Sequence, residues 1–566
     1  MKNGFVFSFK ILPLSVLLLI FPLGLLGAQA AERVPPKTLI LATSSDPKTF
    51  NVLVAQETSS TEIAGFIFQG LTRYNPVSGE SEPLLAERWE VSGDGLTWTF
   101  FLRRDIRWSD GNPFTAQDVR FTFEDIIFNP AFVIPSRDIL TLQGLPLKVR
   151  VLNDYTVAFQ LPEPFAPFLI AMSQPIVPQH ILEKSVTSGR FMSAWGTAES
   201  PDHVTGTGPF RLHSYIPGER IELERNPYYW KTDADGRKLP YLDRIILLIL
   251  PSAETRLIKF LQGETHVYAM TGQDYPILKE REAKGDFEII KSGPGFGSNF
   301  VVFNQGSRDL VKRAWFQKEG FRRAAAYAMD RSSMIDIVLN GLGVMQCSPI
   351  SPSDPSFYHR PAFCPEYDPD KARSLLAEEG FKDRNGDGVL EDSQGHPVEF
   401  VMLTNADNPE RVQLAQMIRE DWSRLGMKVH LLTLDFNTLV ARLVVQRDWD
   451  AVVIGLTGSP DPHFGSNVWK TGGSLHFWED PQAPPSPSQR RVDEIYGVAS
   501  GLMDRSARKK LYEEWQEIAA RELPHLYTVL PEVMFALHRN VLHPEVSAME
   551  GPLFEIDRVD LREGVR

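Results

Sequence analysis

Asp383-Arg384-Asn385-Gly386-Asp387-Gly388 places side-chain oxygens at positions 1, 3 and 5 of a loop and glycine at position 6, the first half of a calcium-binding loop. The second half departs from that pattern, because position 12 is Gln394 where a bidentate glutamate belongs, although Glu391 and Asp392 offer carboxylates nearby. Two readings stand, a structural turn and a calcium site at Asp383, Asn385 and Asp387. His463 and His476 near Asp461 raise nickel or zinc ligation as a second metal chemistry, but no HExxH and no close His/Cys cluster accompanies them. Cys347 and Cys364 are the only cysteines, an even pair without CxxC spacing or histidine partners, and they read as a disulfide. No G-x-S-x-G elbow, Walker loop or G-x-G-x-x-G after a strand occurs, so the usual hydrolase, ATPase and dinucleotide signatures are absent.

The elements that must position these residues alternate between strand and helix. Leu39-Ile40-Leu41-Ala42 is a short buried-strand run, and Ser59 with Glu62 reads as a capping box ahead of Ile63, Phe66, Ile67 and Leu71. Leu96, Trp98, Phe100 and Leu102 alternate with Thr97, Thr99 and Phe101 as a strand with one apolar face. Ser109-Asp110-Gly111 then turns, and Thr115 with Asp118 caps a helix continued by Val119, Phe123, Ile126 and Ile127. Val398 to Leu403 reads as a strand, Asn408 as a cap, Pro409 as the first helical residue, and Gly426 as the stop before a strand resumes at Val429. This β-α-β grammar predicts a mostly parallel sheet with helices on its faces. No repeat is visible, and the Pro/Ser-rich segment 481–488 reads as a surface loop.

Lys2 and Lys10 flank an apolar run from Ile11 to Leu26 that ends at Ala28-Gln29-Ala30, the pattern of a secretory signal cleaved after Ala30. The run is about 16 residues, short of the ~20 that span a bilayer, and no cysteine lies near the cleavage site to carry a lipid anchor. A net charge of −13 argues against nucleic acid and anionic membrane as partners. The remaining chain of more than five hundred residues exceeds one hydrophobic core.

The strand and capped helix from Leu96 to Val119, with Trp108-Ser109-Asp110-Gly111 and Pro113-Phe114-Thr115-Ala116 between them, resemble the signature of the family 5 extracellular solute-binding proteins, the peptide and nickel receptors of ABC importers. Gly206-Thr207-Gly208-Pro209-Phe210, Glu224-Arg225-Asn226-Pro227-Tyr228-Tyr229-Trp230, Phe303-Asn304 and the helix from Phe321 to Arg331 continue the resemblance in order. It implies an α/β, periplasmic-binding-protein-like fold of class II, cluster C type: two large lobes joined by a hinge, with a smaller lobe inserted. Transferred by these blocks, residues 1–30 are the signal peptide, lobe I takes 31–72, 205–300 and 530–566, the inserted lobe takes 73–204, and lobe II takes 301–529. It also implies a periplasmic, monomeric receptor without enzymatic activity or a required cofactor, and leaves the turn and calcium readings of the loop at 383–388 both open. Such a receptor hands a peptide or other organic solute to an ABC permease whose ATPase subunits supply the energy. An exported hydrolase and a chaperone-like scaffold are the alternatives.

In this family the loop after the strand at 450–456 meets ligand, and peptide receptors place a tryptophan and an ammonium-binding aspartate where this chain has Leu456 and Ser459. The expected ligand contacts are Leu456, Thr457, Ser459, Asp461 and Trp469, with Asp461 as the replacement anchor if one exists. A receptor without that anchor is expected to disfavour free di- and tripeptides and to take longer or blocked peptides, or an uncharged solute such as an oligosaccharide.

Overall fold

A computed structural model describes residues 36–562, so the signal-peptide reading of residues 1–30 lies outside the described residues. The first sheet sets Thr38–Thr43 parallel to Arg244–Ile249, with Leu39 opposite Ile245, and continues antiparallel through Arg220–Arg225 and Phe210–Ile216. Leu39, Leu41, Ile245 and Leu247 are buried and Thr38 and Arg244 less so, the period-2 pattern that places one face against helices. A second, wholly antiparallel sheet runs Ala86–Val91, Thr97–Leu102, Thr156–Gln160, Lys148–Asn153. In Thr97–Leu102 the alternation holds residue by residue, with Trp98, Phe100 and Leu102 buried.

The third sheet orders Lys428–Leu434, Glu399–Asn405, Ala451–Leu456, Ser298–Phe303 and Leu526–Tyr527. Its first two pairings are parallel, and the first of them is joined by the Pro409–Ser423 helix, whose Asn408 side chain accepts the Arg411 N–H. The other two pairings are antiparallel. The first and third sheets are therefore mixed, and no sheet is mostly parallel across the described residues, because parallel neighbours need a crossover of a dozen or more residues, and segments such as 216–220 turn back at once. A fourth sheet is built around Val529–His538, which pairs Val267–Met270 and Phe287–Pro294 at its C-terminal half and Gly343–Met345 at its N-terminal half.

The buried apolar residues gather in separate clusters. One draws on residues from Leu39 to Leu71, from Leu85 to Ile249 and from Leu537 to Leu561. Two more, on the two faces of the third sheet, lie wholly between Phe300 and Val529.

Local chemistry accounts for the signature blocks. Thr115 caps Ala116–Arg120 in a complete capping box with Asp118, and the helix then widens to π winding over Phe121–Ile127. Gly206 and Gly208 press against the end of the Thr58–Ile67 helix, where a Cβ on Gly206 would lie 2.0 Å from the Ile67 carbonyl oxygen. The expected Ser59/Glu62 capping box does not form. The helix begins two residues earlier, at Thr58 with Glu57 at the cap, Ser59 Oγ donates to the Asp46 carbonyl, and the Glu62 carboxylate is left free for a cavity described below. The Cys347–Cys364 disulfide is present, with the Cα atoms 5.3 Å apart. No helix among the described residues is long and apolar enough to cross a membrane.

Candidate functional site

The strand Ala451–Leu456 is buried along most of its length and delivers the chain to a loop that forms the shared wall of two cavities. Leu456, Thr457 and Ser459 line one, of about 260 Å³; the next residue, Pro460, lines the other, of about 730 Å³. Of the five expected ligand contacts, Leu456, Thr457, Ser459 and Trp469 line the smaller cavity together.

Asp461 does not line either cavity. It is 1 % exposed, its Oδ1 accepts from Nη2 of Arg508 at 2.6 Å and from the His463 N–H at 2.9 Å, and its Oδ2 accepts from Nη1 at 2.7 Å. Burial pulls Arg508 toward deprotonation, and the Asp461 charge and its hydrogen bonds outweigh it, so its pKa is raised. A carboxylate that is paired bidentately with a guanidinium and lines neither cavity is not presented to a ligand ammonium. The expected role of Asp461 as ammonium anchor is thereby corrected: it fixes the loop to the Arg505–Glu522 helix.

Trp469 belongs to a buried aromatic assembly with Trp478, Trp515 and His525, the last at 5.0 Å between ring centroids. His525 stacks flat on Phe300 at 4.1 Å, and burial lowers its pKa to about 3, so the ring is neutral at physiological pH. Asp354, also on the smaller cavity, accepts the Ser356 and Phe357 N–H groups through Oδ1, and burial raises its pKa. Phe300 and Asp354 have no sequence signal for this site, because they lie more than a hundred residues before Trp469 in the chain.

The larger cavity lies between the Thr58–Ile67 helix, the Thr72–Asn75 strand and the segment 549–556. Glu62 and Glu550 line it without a hydrogen bond or ion pair from their carboxylates among the described residues, and burial raises Glu62 to about 7. Arg73, on the same wall, is engaged by Glu82 and Glu555. Tyr74 adds a phenol raised to about 12, chiefly by burial and then by the Asp354 charge across the gap.

Away from both cavities, Asp383, Asp387 and Glu391 bring carboxylate oxygens within 4.8 Å of one another. Glu391 thus stands where the sequence offers Gln394 at the twelfth position. The loop is also held by its own hydrogen bonds: Asp383 accepts from Gly386 and Gly388, and the Asn385 amide donates to Asp387 at 3.1 Å. His463 and His476 do not meet at a metal-binding group. The first packs edge-on to Phe165 at 5.1 Å, and the second bonds Val468 and Glu479.

Comparison with known proteins follows the same outline. Residues 80–475 match the family model described as bacterial extracellular solute-binding proteins, family 5. A probable ABC transporter-binding protein of Deinococcus radiodurans is 29% identical over 516 residues, covering 87% of this chain and 86% of its own length. The oligopeptide-binding protein AppA of Bacillus subtilis is 26% identical over 517 residues, covering 89% and 88%. Its solved structure with a nonapeptide superposes with a TM-score of 0.72 at 24% identity, over 94% of this chain and all of that one. NikA of Brucella suis with Fe(III)-EDTA superposes at 0.78 and 22% identity, over 93% of this chain and all of that one.

Proposed function

The chain belongs to the bacterial extracellular solute-binding proteins of family 5, and from that premise we propose that it is the periplasmic receptor of an ABC importer, capturing a peptide or other organic solute and passing it to a permease driven by its ATPase subunits. Membership in a family of solute receptors sets aside the exported hydrolase. The observation that carries the proposal is the pair of cavities meeting on the loop 456–460, where one element supplies a wall to both. The chain's relatives include proteins named for oligopeptide, dipeptide and heme binding, and a combined space of this size suits a solute larger than one amino acid.

Of the proposed division, lobe I at 31–72, 205–300 and 530–566 with 73–204 inserted and lobe II at 301–529, the separation of lobe II is supported by its apolar clusters, which lie wholly between Phe300 and Val529, whereas one cluster joins the insert to lobe I. Glu80, Phe165 and Ala166 in the inserted lobe meet Arg505, His463 and Ser500 of lobe II, which supports closure over a solute. Leu456, Thr457, Ser459 and Trp469 remain the proposed contacts. A structural calcium at Asp383 and Asp387, with Asn385 between them, is the proposed ion, and the monomer the proposed state. Small-angle scattering tests the receptor: the true solute should reduce the radius of gyration, whereas tight binding without a change of shape would count against it.

A further inference from the structure

The Cys347–Cys364 disulfide closes a loop whose two ends the fold also holds by other means. Just before it the Gln346 N–H donates to the Thr528 carbonyl at 3.1 Å, and just after it the Pro365 carbonyl accepts from Arg331 at 3.2 Å. Neither cysteine belongs to the apolar clusters of this region, so opening the bridge frees the loop between the anchors without dismantling the cores beneath it.

Between the cysteines the loop touches three separate parts of the molecule. Ile350, Ser351 and Asp354 form part of the wall of the smaller cavity. Ser353 Oγ donates to the Pro294 carbonyl at 2.6 Å, where the strand Phe287–Pro294 of the fourth sheet passes into Ser298–Phe303 of the third. Ser356 Oγ accepts from Arg505 at 2.7 Å and lies against the turn at Gly79, so close that a Cβ on Gly79 would fall 2.3 Å from it. On the proposed division the loop thus reaches from lobe II to the passage between the lobes and to the insert, which shares its apolar cluster with lobe I. Parting the lobes separates Ser356 from Gly79, so a loop held in this shape favours the closed form.

The bridge is also open to attack. Both cysteines are half-buried and line a cavity of about 300 Å³ together with Arg360. A thiolate entering there meets sulfur, and a nearby guanidinium favours departure of the displaced cysteine as a thiolate.

Resting on the receptor reading, we infer that the Cys347–Cys364 disulfide is a redox-sensitive latch: reduction by an external dithiol releases the loop and shifts the receptor toward its open, solute-releasing form. One thiolate of the dithiol attacks a bridge sulfur, forming a mixed disulfide and expelling the other cysteine. The second thiolate then displaces the remaining cysteine, so the dithiol is oxidised to its own disulfide, the bridge is reduced by two electrons, and two protons pass to the cysteines.

Dithiothreitol is added to the solute-free protein in native buffer, and thiols are counted by alkylation and intact mass. Reduction is expected without denaturant, with a cooperative melting transition retained. Hydrogen exchange then compares the oxidised and reduced forms at times short enough that the strand Glu399–Asn405 stays protected in both. Exchange should rise about tenfold, the size of one lost hydrogen bond, in segments 290–297 and 76–82, and small-angle scattering should show a larger radius of gyration. Ser353→Ala, with the bridge intact, should give the same rise in 290–297 while leaving the melting temperature nearly unchanged. A bridge reduced only in denaturant, faster exchange confined to 346–365, or a Ser353→Ala variant that exchanges as the parent does would each overturn the inference. None of these results bears on the receptor reading, because no solute is present and closure around the natural solute decides it.

Discussion

Asp461 shows how a residue type can be legible while its role is not. Its place after a cleft strand marks it as a ligand contact, yet its carboxylate closes on Arg508, 47 positions further along, and no local pattern announces that partner. Asp461→Ala therefore leaves a buried guanidinium uncompensated, and urea denaturation should show a loss of about 3–5 kcal/mol. Glu62 was legible as a helix-start residue and turns out to face a cavity, because the helix begins at Thr58. Its carboxyl is held at about 7, above its ordinary 4.5, by burial. Between those values the folded protein keeps a proton that the unfolded chain has released, so this group lowers stability progressively as pH rises from 4.5 and no further above 7. Glu62→Gln should leave denaturation midpoints unchanged at pH 4 and raise stability at pH 8 by up to about 3 kcal/mol, less where water reaches the carboxylate. Equal midpoint shifts at the two pH values would show that burial does not perturb this group.

Elements were the most readable level, since periodicity and capping act within a few residues. The Asn408 cap, the Pro409–Ser423 helix and the Thr97–Leu102 strand stand where alternation and turn chemistry put them. Strand partners were not readable: the antiparallel pairings of Ser298–Phe303 depend on Ala451–Leu456 and Leu526–Tyr527, far away in the chain. The glycines of the Gly206–Phe210 block have a reason visible only in three dimensions, the passage of the Ile67 carbonyl beneath them. Gly206→Ala should cost about 1–3 kcal/mol or more in thermal denaturation, the range of overpacking in a closed core. The disulfide, legible from cysteine count alone, closes a loop with a sequence separation of 17. Replacing both cysteines with serine should destabilise the protein by about 3 kcal/mol in chemical denaturation, and intact mass before and after reduction should differ by two hydrogens.

At the scale of the whole molecule, contacts between residues 79–80 and Arg505 are polar and partly exposed, so they contribute little to stability, and on the proposed lobe division they join the insert to lobe II. Arg505→Ala should leave the melting temperature nearly unchanged and weaken solute affinity about two- to fivefold, measured by calorimetry. A melting temperature that falls with affinity would make Arg505 a structural residue instead. Family blocks made the fold class legible, but composition could not show which distant segments share one core, because that depends on contacts such as those of Leu39 with the cluster that includes Leu537 and Leu561. One consequence concerns time. The apolar cluster that begins at Leu39 also needs Leu537, Val559 and Leu561, and Lys37 bridges Asp560 at 2.7 Å. A chain emerging N-terminus first thus has every residue of the clusters between Phe300 and Val529 available before the cluster begun earliest can be completed. The part made first is the part finished last.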